Sequence, residues 1–313
     1  MNTAFITGAM GFVGRHLARA LNQQGYKVCG IGHGTWSEIE RTAWGVDYWL
    51  NGEVSKRNLD IVQADMGNPD VVFHLAGGSS VGPSLTAPEE DFRRSVLSAA
   101  ELLEWARLAA RSANLVLASS AAVYGAGHVH AIAESDFLSP YSPYGFHKRI
   151  AEELFESYGK NFGLNVSTVR LFSLYGPELK KQLLWDVCRR LMNDPSILLL
   201  GGTGEEVRDW FHISDAVALL QLVAKQACHE GFIINGGAGV SVTVRQIAEQ
   251  LCAEWGMTTQ VKFSGKSRLG DPRYLVADVT QLASLGFMSK MSWEAGLADY
   301  VAWFKRDNVL PAS

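Results

Sequence analysis

The chain has 313 residues, of which 47% are hydrophobic and 19% are charged, and its formal net charge is −4. This composition predicts a folded globular protein of about two domains and excludes a disordered chain. The weakly acidic balance offers no basic surface, so neither a nucleic acid nor a membrane is expected as a partner.

The first half of the chain alternates short apolar segments with helical patterns. The predicted strands are 3–6, 26–31, 46–50, 70–75, 114–119 and 166–172. The predicted helices are 13–24, 55–66, 88–111 and 143–159. Near-continuous apolar strands separated by helices are typical of a parallel sheet that helices cover on both faces.

The pattern changes after residue 175. Further helices are predicted at 181–192, 214–226 and 244–255, with short strands at 197–200 and 232–235. We therefore expect a Rossmann-like, doubly wound α/β domain over residues 1–175 and a smaller mixed α/β substrate-binding region over 176–313. Residues of about 205–240 are expected to return to the first domain.

The cysteines Cys29, Cys188, Cys228 and Cys252 are widely spaced and include no CxxC pair. This spacing predicts four buried thiols, no metal site and a reducing compartment. The apolar segments are too short for a transmembrane helix, and the first predicted strand begins too near Met1 to leave room for a leader. The expected location is the cytoplasm.

A glycine-rich turn joins the first predicted strand to the first predicted helix. It reads TGAMGFVG, with Gly8, Gly11 and Gly14 at a spacing of three. Glycines permit a tight turn and a close approach of backbone to ligand, and a helix N-terminus attracts phosphate. In the first strand–turn–helix unit, this pattern predicts that the loop binds the pyrophosphate of a dinucleotide.

Six further motifs follow in the chain: HLAG (74–77), SSAAVYG (119–125), YGFHK (144–148), VRLFSLYGP (169–177), RDWFHISD (208–215) and RLGDPRYLVAD (268–278). In this order, and over nearly the whole chain, the seven motifs resemble the extended short-chain dehydrogenase/reductase family, in its nucleotide-sugar epimerase, dehydratase and reductase branch. The resemblance implies an enzyme with an NAD or NADP cofactor and a nucleotide-diphosphate sugar as substrate.

Tyr144 and Lys148 are the candidate catalytic pair. They lie four residues apart on a predicted helix and so share one face. A nearby ammonium favours the phenolate, which predicts that Lys148 lowers the Tyr144 pKa and makes Tyr144 a general acid/base. The resemblance implies Ser120 as the third member, in preference to Ser119, and gives Lys148 a hydrogen bond to the nicotinamide ribose.

The two residues after Ser120 are Ala121 and Ala122. In the family that this chain resembles, dehydratases carry an Asp-Glu pair there, and reductases that also epimerise at C3 and C5 carry a cysteine at the second position. The alanines argue against both activities. Hydride chemistry at one carbon, C4, remains.

The end of the second predicted strand bears on the choice between NAD and NADP. Gly32, His33 and Gly34 stand where an acidic residue would bind the ribose hydroxyls of NAD, and the first acid is Glu38. NADP is therefore favoured over NAD, with His33 as a partner for its phosphate. The place of the adenine contact lies nearer Asn51 than Asp65.

The candidate binding residues come from these motifs. The cofactor-binding set is Gly8, Gly11, Phe12, Val13, Gly14, His33, Leu75, Ala76, Gly77, Lys148, Leu171 and Phe172. By resemblance, the substrate-binding set is Ser80, Val81, Ser84, Ser120, Tyr144, Ser173, Arg208 and Arg268, with the two arginines on the diphosphate.

The resemblance also implies a homodimer formed by two helices, at about 90–111 and 144–160. Leu97, Leu102, Leu103, Ile150 and Leu154 are the candidate apolar seam, although the same residues also suit the internal core.

Several functions remain open. The leading interpretation is reduction of a nucleotide-linked 4-keto-6-deoxyhexose at C4 by NADPH. The alternative is a 4-epimerase of the UDP-glucose or UDP-N-acetylglucosamine type that retains NAD. A 4,6-dehydratase, a reductase of an apolar ketone and a non-catalytic NADP sensor are less favoured.

Overall fold

The computed structural model describes residues 2–193, 197–229, 231–266 and 272–308. The strands are β1 (Thr3–Thr7), β2 (Lys27–Gly32), β3 (Tyr48–Asn51), β4 (Val71–His74), β5 (Asn114–Ser120), β6 (Asn165–Leu171), β7 (Ser173–Tyr175), β8 (Ile197–Leu200), β9 (Val207–Arg208), β10 (Trp210–His212), β11 (Phe232–Gly236), β12 (Val242–Thr243), β13 (Gln260–Phe263) and β14 (Tyr274–Leu275). The helices are α1 (Phe12–Gln23), α2 (Glu38–Ala43), α3 (Lys56–Met66), α4 (Val81–Thr86), α5 (Pro88–Phe92), α6 (Ser98–Ala109), α7 (Pro143–Phe162), α8 (Gln182–Asn193), α9 (Ile213–Ala224), α10 (Val244–Trp255), α11 (Thr280–Ser284) and α12 (Trp293–Asn308).

The largest sheet has seven strands in the order β11-β6-β5-β4-β1-β2-β3. Neighbouring strands from β3 to β6 pair in parallel. The order reverses at β1, so the carboxyl ends of β1 and β4 adjoin a topological switch point, where ligands bind in such sheets. The predicted Rossmann-like doubly wound sheet is confirmed.

The chain divides into two compact units. The first comprises residues 1–125, 137–171 and 217–234, and the second comprises 126–136, 172–216 and 235–313. The boundary expected at 175/176 thus falls at 171/172. The segment that returns to the first unit is shorter than the expected 205–240, because β9 and β10 pair within small sheets of the second unit.

The helix that carries the YGFHK motif has clear start and stop signals. Ser142 caps α7 by accepting a hydrogen bond from Gly145 N at 3.2 Å, and Pro143 occupies the first turn. Gly163 ends the helix in the left-handed conformation, with φ of 70°. Within the first unit, α7 packs against α5, α6 and β5, so its position is fixed along its length.

The helix predicted over 88–111 is interrupted. A π-helical turn at Arg93–Leu97 separates α5 from α6, and α6 ends at Ala109. A π-helical turn inserts one extra residue and shifts the side chains that follow it, and such turns are often found at functional sites.

The predicted seam and the predicted thiols are only partly right. Leu102 and Leu103 are fully buried in the core of the first unit, whereas Leu97 is exposed. Leu154 packs against the same core. Cys228 is exposed, whereas the other three cysteines are buried.

Leu102 and Leu97 provide a matched test of this core. The substitution Leu102→Ala removes a fully buried side chain and is expected to lower the free energy of unfolding by about 2–5 kcal/mol. Because Leu97 is 43% exposed, Leu97→Ala is expected to cost less than about 1 kcal/mol. Urea denaturation measures both losses, and equal losses would contradict the assignment of Leu102 to the core.

Candidate active site

The glycine loop between β1 and α1 is held against the ends of three strands. Gly8 N donates to Ile31 O at 2.6 Å, and Leu75 N donates to Thr7 O at 3.2 Å. A Cβ added at Gly8 would lie 2.9 Å from Ala76 N, and one at Gly14 would overlap the Gly8 carbonyl oxygen. Both positions therefore require glycine for close packing, and Gly8 also has a φ of +73°.

The same loop fits the pyrophosphate of a dinucleotide. Gly11 is the N-cap of α1 and contributes no side chain to the first-turn N–H groups, and the first turn contains no acidic residue. An anion there gains from both the N–H groups and the helix dipole. The residues that would hold the group are Phe12 and Val13, with Leu75–Gly77 following β4 beside the loop.

The end of β2 carries no carboxylate. Gly32 ends the strand, and a Cβ there would lie 3.1 Å from the ring of Trp49. His33 is exposed, and Gly34 N donates to Asn51 Oδ1 at 3.1 Å. Asn51, the last residue of β3, thus lies beside the end of β2.

Asp65 lies in α3 and accepts a hydrogen bond from the Tyr48 hydroxyl at 2.7 Å. The helix predicted before the DVVFHL segment is thus confirmed at Lys56–Met66.

The three predicted catalytic residues come together in the first unit. Ser120 is the last residue of β5, and Tyr144 and Lys148 lie in the first turns of α7. Tyr144 forms a side-chain hydrogen bond with Ser120, and the Lys148 Nζ donates to Ala118 O at 2.9 Å. Ser119 is buried and donates instead to Glu152. The geometry therefore favours Ser120 over Ser119 as the hydroxyl beside Tyr144.

Burial changes the acidity of both titratable groups. It lowers the pKa of Lys148 to about 8, although Asp91 and Glu152 oppose this change. The pKa of Tyr144 is raised, chiefly by burial of the phenol, while the hydrogen bond with Ser120 lowers it. The net shift of the Tyr144 pKa is therefore opposite to the decrease that the sequence predicted. The Lys148 Nζ lies 6.0 Å from the centroid of the Tyr144 ring and is engaged by Ala118.

A buried ion pair between Glu152 and Arg170 lies one helical turn after Lys148, and it was not predicted from the sequence. Glu152 accepts from Arg170 Nη2 at 2.8 Å, and Arg170 Nη1 donates to the Tyr124 hydroxyl at 2.9 Å. The pair is buried, and it joins α7 to β6 beside the end of β5. The spacing could have identified Glu152 as a neighbour of Lys148, because it lies four residues later on the same face of the helix.

The segment after HLAGG is a short helix instead of a loop. Ser80 precedes α4, which begins at Val81. Ser84 is fully buried, donates to Val81 O at 2.7 Å and accepts from Tyr144 N at 3.1 Å. Its hydroxyl therefore holds the first turn of α7, a role that the prediction of a substrate contact did not include.

The remaining predicted residues are distributed over both units. Leu171 ends β6 in register with Ser120 and belongs to the first unit. Phe172, Ser173 and Arg208 belong to the second unit. Phe172 is buried and Arg208 lies in β9, where its Nη1 donates to Val207 O at 2.8 Å. Arg268 lies outside the described residues.

Comparison with known proteins decides the family. The model of the NAD dependent epimerase/dehydratase family matches residues 4–236, which include the glycine loop and the three predicted catalytic residues. The chain belongs to this family. Its members are enzymes of NAD-dependent nucleotide-sugar chemistry, and the resemblance stated from the motifs is confirmed.

Individual family members resemble the chain over nearly its whole length. A protein named putative UDP-glucose 4-epimerase from Methanocaldococcus jannaschii is 25% identical over 307 residues, covering 97% of this chain and 98% of the relative. The solved UDP-glucose 4-epimerase of Thermotoga maritima with UDP-glucose is 25% identical, with a TM-score of 0.88 and 97% and 99% coverage. The solved protein MoeE5 in complex with UDP-glucuronic acid and NAD is 30% identical, with a TM-score of 0.86 and the same coverage.

The described part of the chain has neither a metal-binding cluster nor a membrane-spanning helix. Among residues 2–193, 197–229, 231–266 and 272–308, no group of three or more His, Cys, Asp or Glu side chains is placed to hold a metal ion. In the same ranges, no helix combines the length and the apolar character needed to cross a membrane.

Gly14 offers a direct test of the pyrophosphate cradle. A methyl group there would overlap the Gly8 carbonyl, so Gly14→Ala is expected to displace the loop and weaken NAD binding about tenfold or more. Gly82→Ala is the control, because a Cβ at Gly82 meets no atom within 4 Å. Calorimetric titration with NAD measures both variants, and an unchanged affinity in Gly14→Ala would contradict the cradle.

Proposed function

We propose that the protein is an NAD-dependent 4-epimerase of a nucleotide-linked hexose. The observation that carries this proposal is the group Ser120, Tyr144 and Lys148. The residues directly after Ser120 are Ala121 and Ala122, which lie in a 3₁₀ turn and have no acidic side chain. This group can exchange one proton at one oxygen and has no second acid/base pair. The relatives named as UDP-glucose 4-epimerases support the same chemistry.

The protein residues serve the proton transfers. A bound nicotinamide cofactor would supply the hydride chemistry at C4 of the sugar and, in its oxidised form, a positive charge that favours a phenolate at Tyr144. Tyr144 takes the proton of the C4 hydroxyl, and Ser120 donates a hydrogen bond to the same oxygen. After the 4-keto sugar has turned its other face, Tyr144 returns the proton and the inverted alcohol is formed.

Lys148 has two functions in this scheme. As an ammonium it would stabilise the Tyr144 phenolate and hold the cofactor ribose. Its pKa of about 8 leaves a mixture of charged and neutral forms in mildly alkaline solution. The buried carboxylate of Glu152 raises the Lys148 pKa and so keeps the charge at neutral pH.

The other substrate contacts are proposed from the sequence motifs. Arg208 and Arg268 remain the candidates for the diphosphate, and Ser173 remains a candidate for the sugar.

Reduction of a 4-keto-6-deoxy sugar by NADPH is the second candidate. The observation that favours it is the end of β2, where Gly32 and the exposed His33 offer no carboxylate to repel a 2′-phosphate. The two candidates differ in the fate of the cofactor. An epimerase keeps NAD through the cycle, whereas a reductase exchanges it at every turnover.

Cofactor retention and Tyr144→Phe together test the proposed function. Denaturation of the freshly purified protein is expected to release NAD in nearly equal amount, as identified by mass spectrometry. UDP-glucose, UDP-N-acetylglucosamine and UDP-glucuronic acid are then incubated with the protein, and the C4 epimers are measured. Tyr144→Phe removes the proton carrier, so turnover should fall about a hundredfold or more while NAD is retained.

Each other outcome has a defined meaning. Bound NADP, or little nucleotide together with reduction of a 4-keto sugar by NADPH, would replace the epimerase by the reductase. Full turnover in Tyr144→Phe would remove Tyr144 from the mechanism in either case.

We also propose a homodimer through the exposed faces of α5 and α7. The described first unit exposes Phe92, Leu97, Phe146 and Ile150 there, by 36% to 50% of each residue's surface. Leu97 and Ile150 belong to the seam predicted from the sequence, and Phe92 and Phe146 take the place of Leu102 and Leu103, which are buried. Burial of such an apolar face by a second copy would remove it from water and so stabilise the dimer.

The substitution Phe146→Lys tests the dimer. It places a charge on the proposed interface and should convert a dimer into monomers, as measured by sedimentation velocity at micromolar concentration. Ile39→Lys is the control, because Ile39 is 85% exposed on α2 and lies on another helix. A wild-type protein that sediments only as a monomer would rule the dimer out.

A further inference from the structure

Asp91 is a buried carboxylate beside the catalytic helix that the scheme above does not use. It lies in α5, and only 6% of its surface is exposed. Its Oδ2 lies 2.6 Å from Nδ1 of His147, the residue that directly precedes Lys148. Since an ionised carboxylate only accepts hydrogen bonds, Nδ1 of His147 carries the proton and donates it to Asp91.

The other oxygen of Asp91 faces the loop after β4. A Cβ added at Gly78 would overlap Asp91 Oδ1, and Gly78 N donates to Ser95 Oγ at 2.9 Å. Ser95 belongs to the π-helical turn that follows α5. One carboxylate thus packs against Gly78 and at the same time holds α7 through His147.

The loop and the catalytic lysine are close neighbours. A Cβ added at Gly77 would lie 3.1 Å from the Lys148 Nζ. A shift of α7 relative to α5 would therefore move Lys148 against the segment that the cofactor is expected to contact. The contact between Asp91 and His147 opposes such a shift.

We propose that Asp91 is a positioning residue of the Tyr144–Lys148 centre: it fixes α7 through His147, supports the loop at Gly78, and places a carboxylate beside the centre. This inference rests on the proposed function for its catalytic consequence. The arrangement itself rests on the contacts of Asp91 in the first unit.

The charge of Asp91 acts on both partners. It raises the pKa of Lys148 against the effect of burial, and it raises the pKa of Tyr144. The carboxylate therefore helps to keep the lysine charged and the phenol protonated until the cofactor's own charge is present. The other ionisable groups near this centre are Glu152, which also raises the Lys148 pKa, and His74 of β4; next to Asp91, Glu90 is paired with Arg94 at 2.6 Å.

Asp91→Asn separates the charge from the contact. An asparagine can still accept the hydrogen bond from His147, but it has no charge, so the Tyr144 phenol should ionise at lower pH. The expected decrease is about half a pH unit or more. It is read from an ultraviolet difference titration of phenolate in the NAD-loaded protein, with Tyr144→Phe in each background to subtract the other tyrosines.

Glu153→Gln is the matched control for the charge. Glu153 lies on the same helix, is exposed and pairs with Arg149 at 3.0 Å. Its loss should leave the Tyr144 titration unchanged. An unchanged titration in Asp91→Asn, or an equal change in Glu153→Gln, would overturn the electrostatic role of Asp91.

Two substitutions of His147 test its contact with Asp91. The Nδ2 of asparagine can take the place of imidazole Nδ1, whereas leucine cannot donate. His147→Leu should lower kcat about tenfold with little change in NAD affinity, and His147→Asn should restore most of the loss. Equal activity of the two variants would overturn the positioning role, and this pair also decides the matter if Asp91→Asn does not fold.

The two proposals fail separately. If no nucleotide sugar is turned over, the proposed epimerase is wrong, but the tyrosine titration of the NAD-loaded protein still decides the role of Asp91. If epimerisation is found and the titration does not change, only the inference about Asp91 is wrong.

Discussion

The constraint on which this site depends is a buried ammonium. Lys148 is buried and its charge loses hydration, which lowers its pKa to about 8. One carbonyl, Ala118 O, and two carboxylates, Glu152 and Asp91, offset part of that loss. These three partners come from β5, α7 and α5, so the elements around the lysine must be held in fixed relative positions for its charge to persist.

That requirement explains why the catalytic helix is fastened at several points. Ser142 caps its first turn, Ser84 accepts from the backbone of Tyr144, and His147 binds Asp91. Further along, Glu152 forms the buried ion pair with Arg170 of β6. A buried ion pair is a weak source of stability, because desolvation offsets its attraction. The ion pair instead fixes the orientation of α7, because it holds one face of the helix against the end of β5, where Ser120 lies.

Local patterns predicted the sheet and the glycine loop well, because strand periodicity and a strand–turn–helix motif are local properties. Ser120, Tyr144 and Lys148 were predicted from motifs of the same kind, and the structure places all three in the first unit. Asp91, His147 and Ser84 received no catalytic or positioning role, since their partners lie 56 and 60 residues apart in sequence. The π-helical turn that contains Ser95 could not be predicted, because such a turn has no hydrophobic period of its own in the sequence. The raised pKa of Tyr144 also depends on packing, whereas the spacing of Tyr144 and Lys148 shows only that they share a face.

The raised pKa of Tyr144 gives the site an order of events. Without a cofactor, burial and the Asp91 carboxylate both favour the phenol, and the hydrogen bond to Ser120 offsets this only in part. A cationic nicotinamide would supply the missing positive charge, so the base would form only where the hydride acceptor is also present. Proton removal and hydride removal would then be coupled by electrostatics, without a conformational switch.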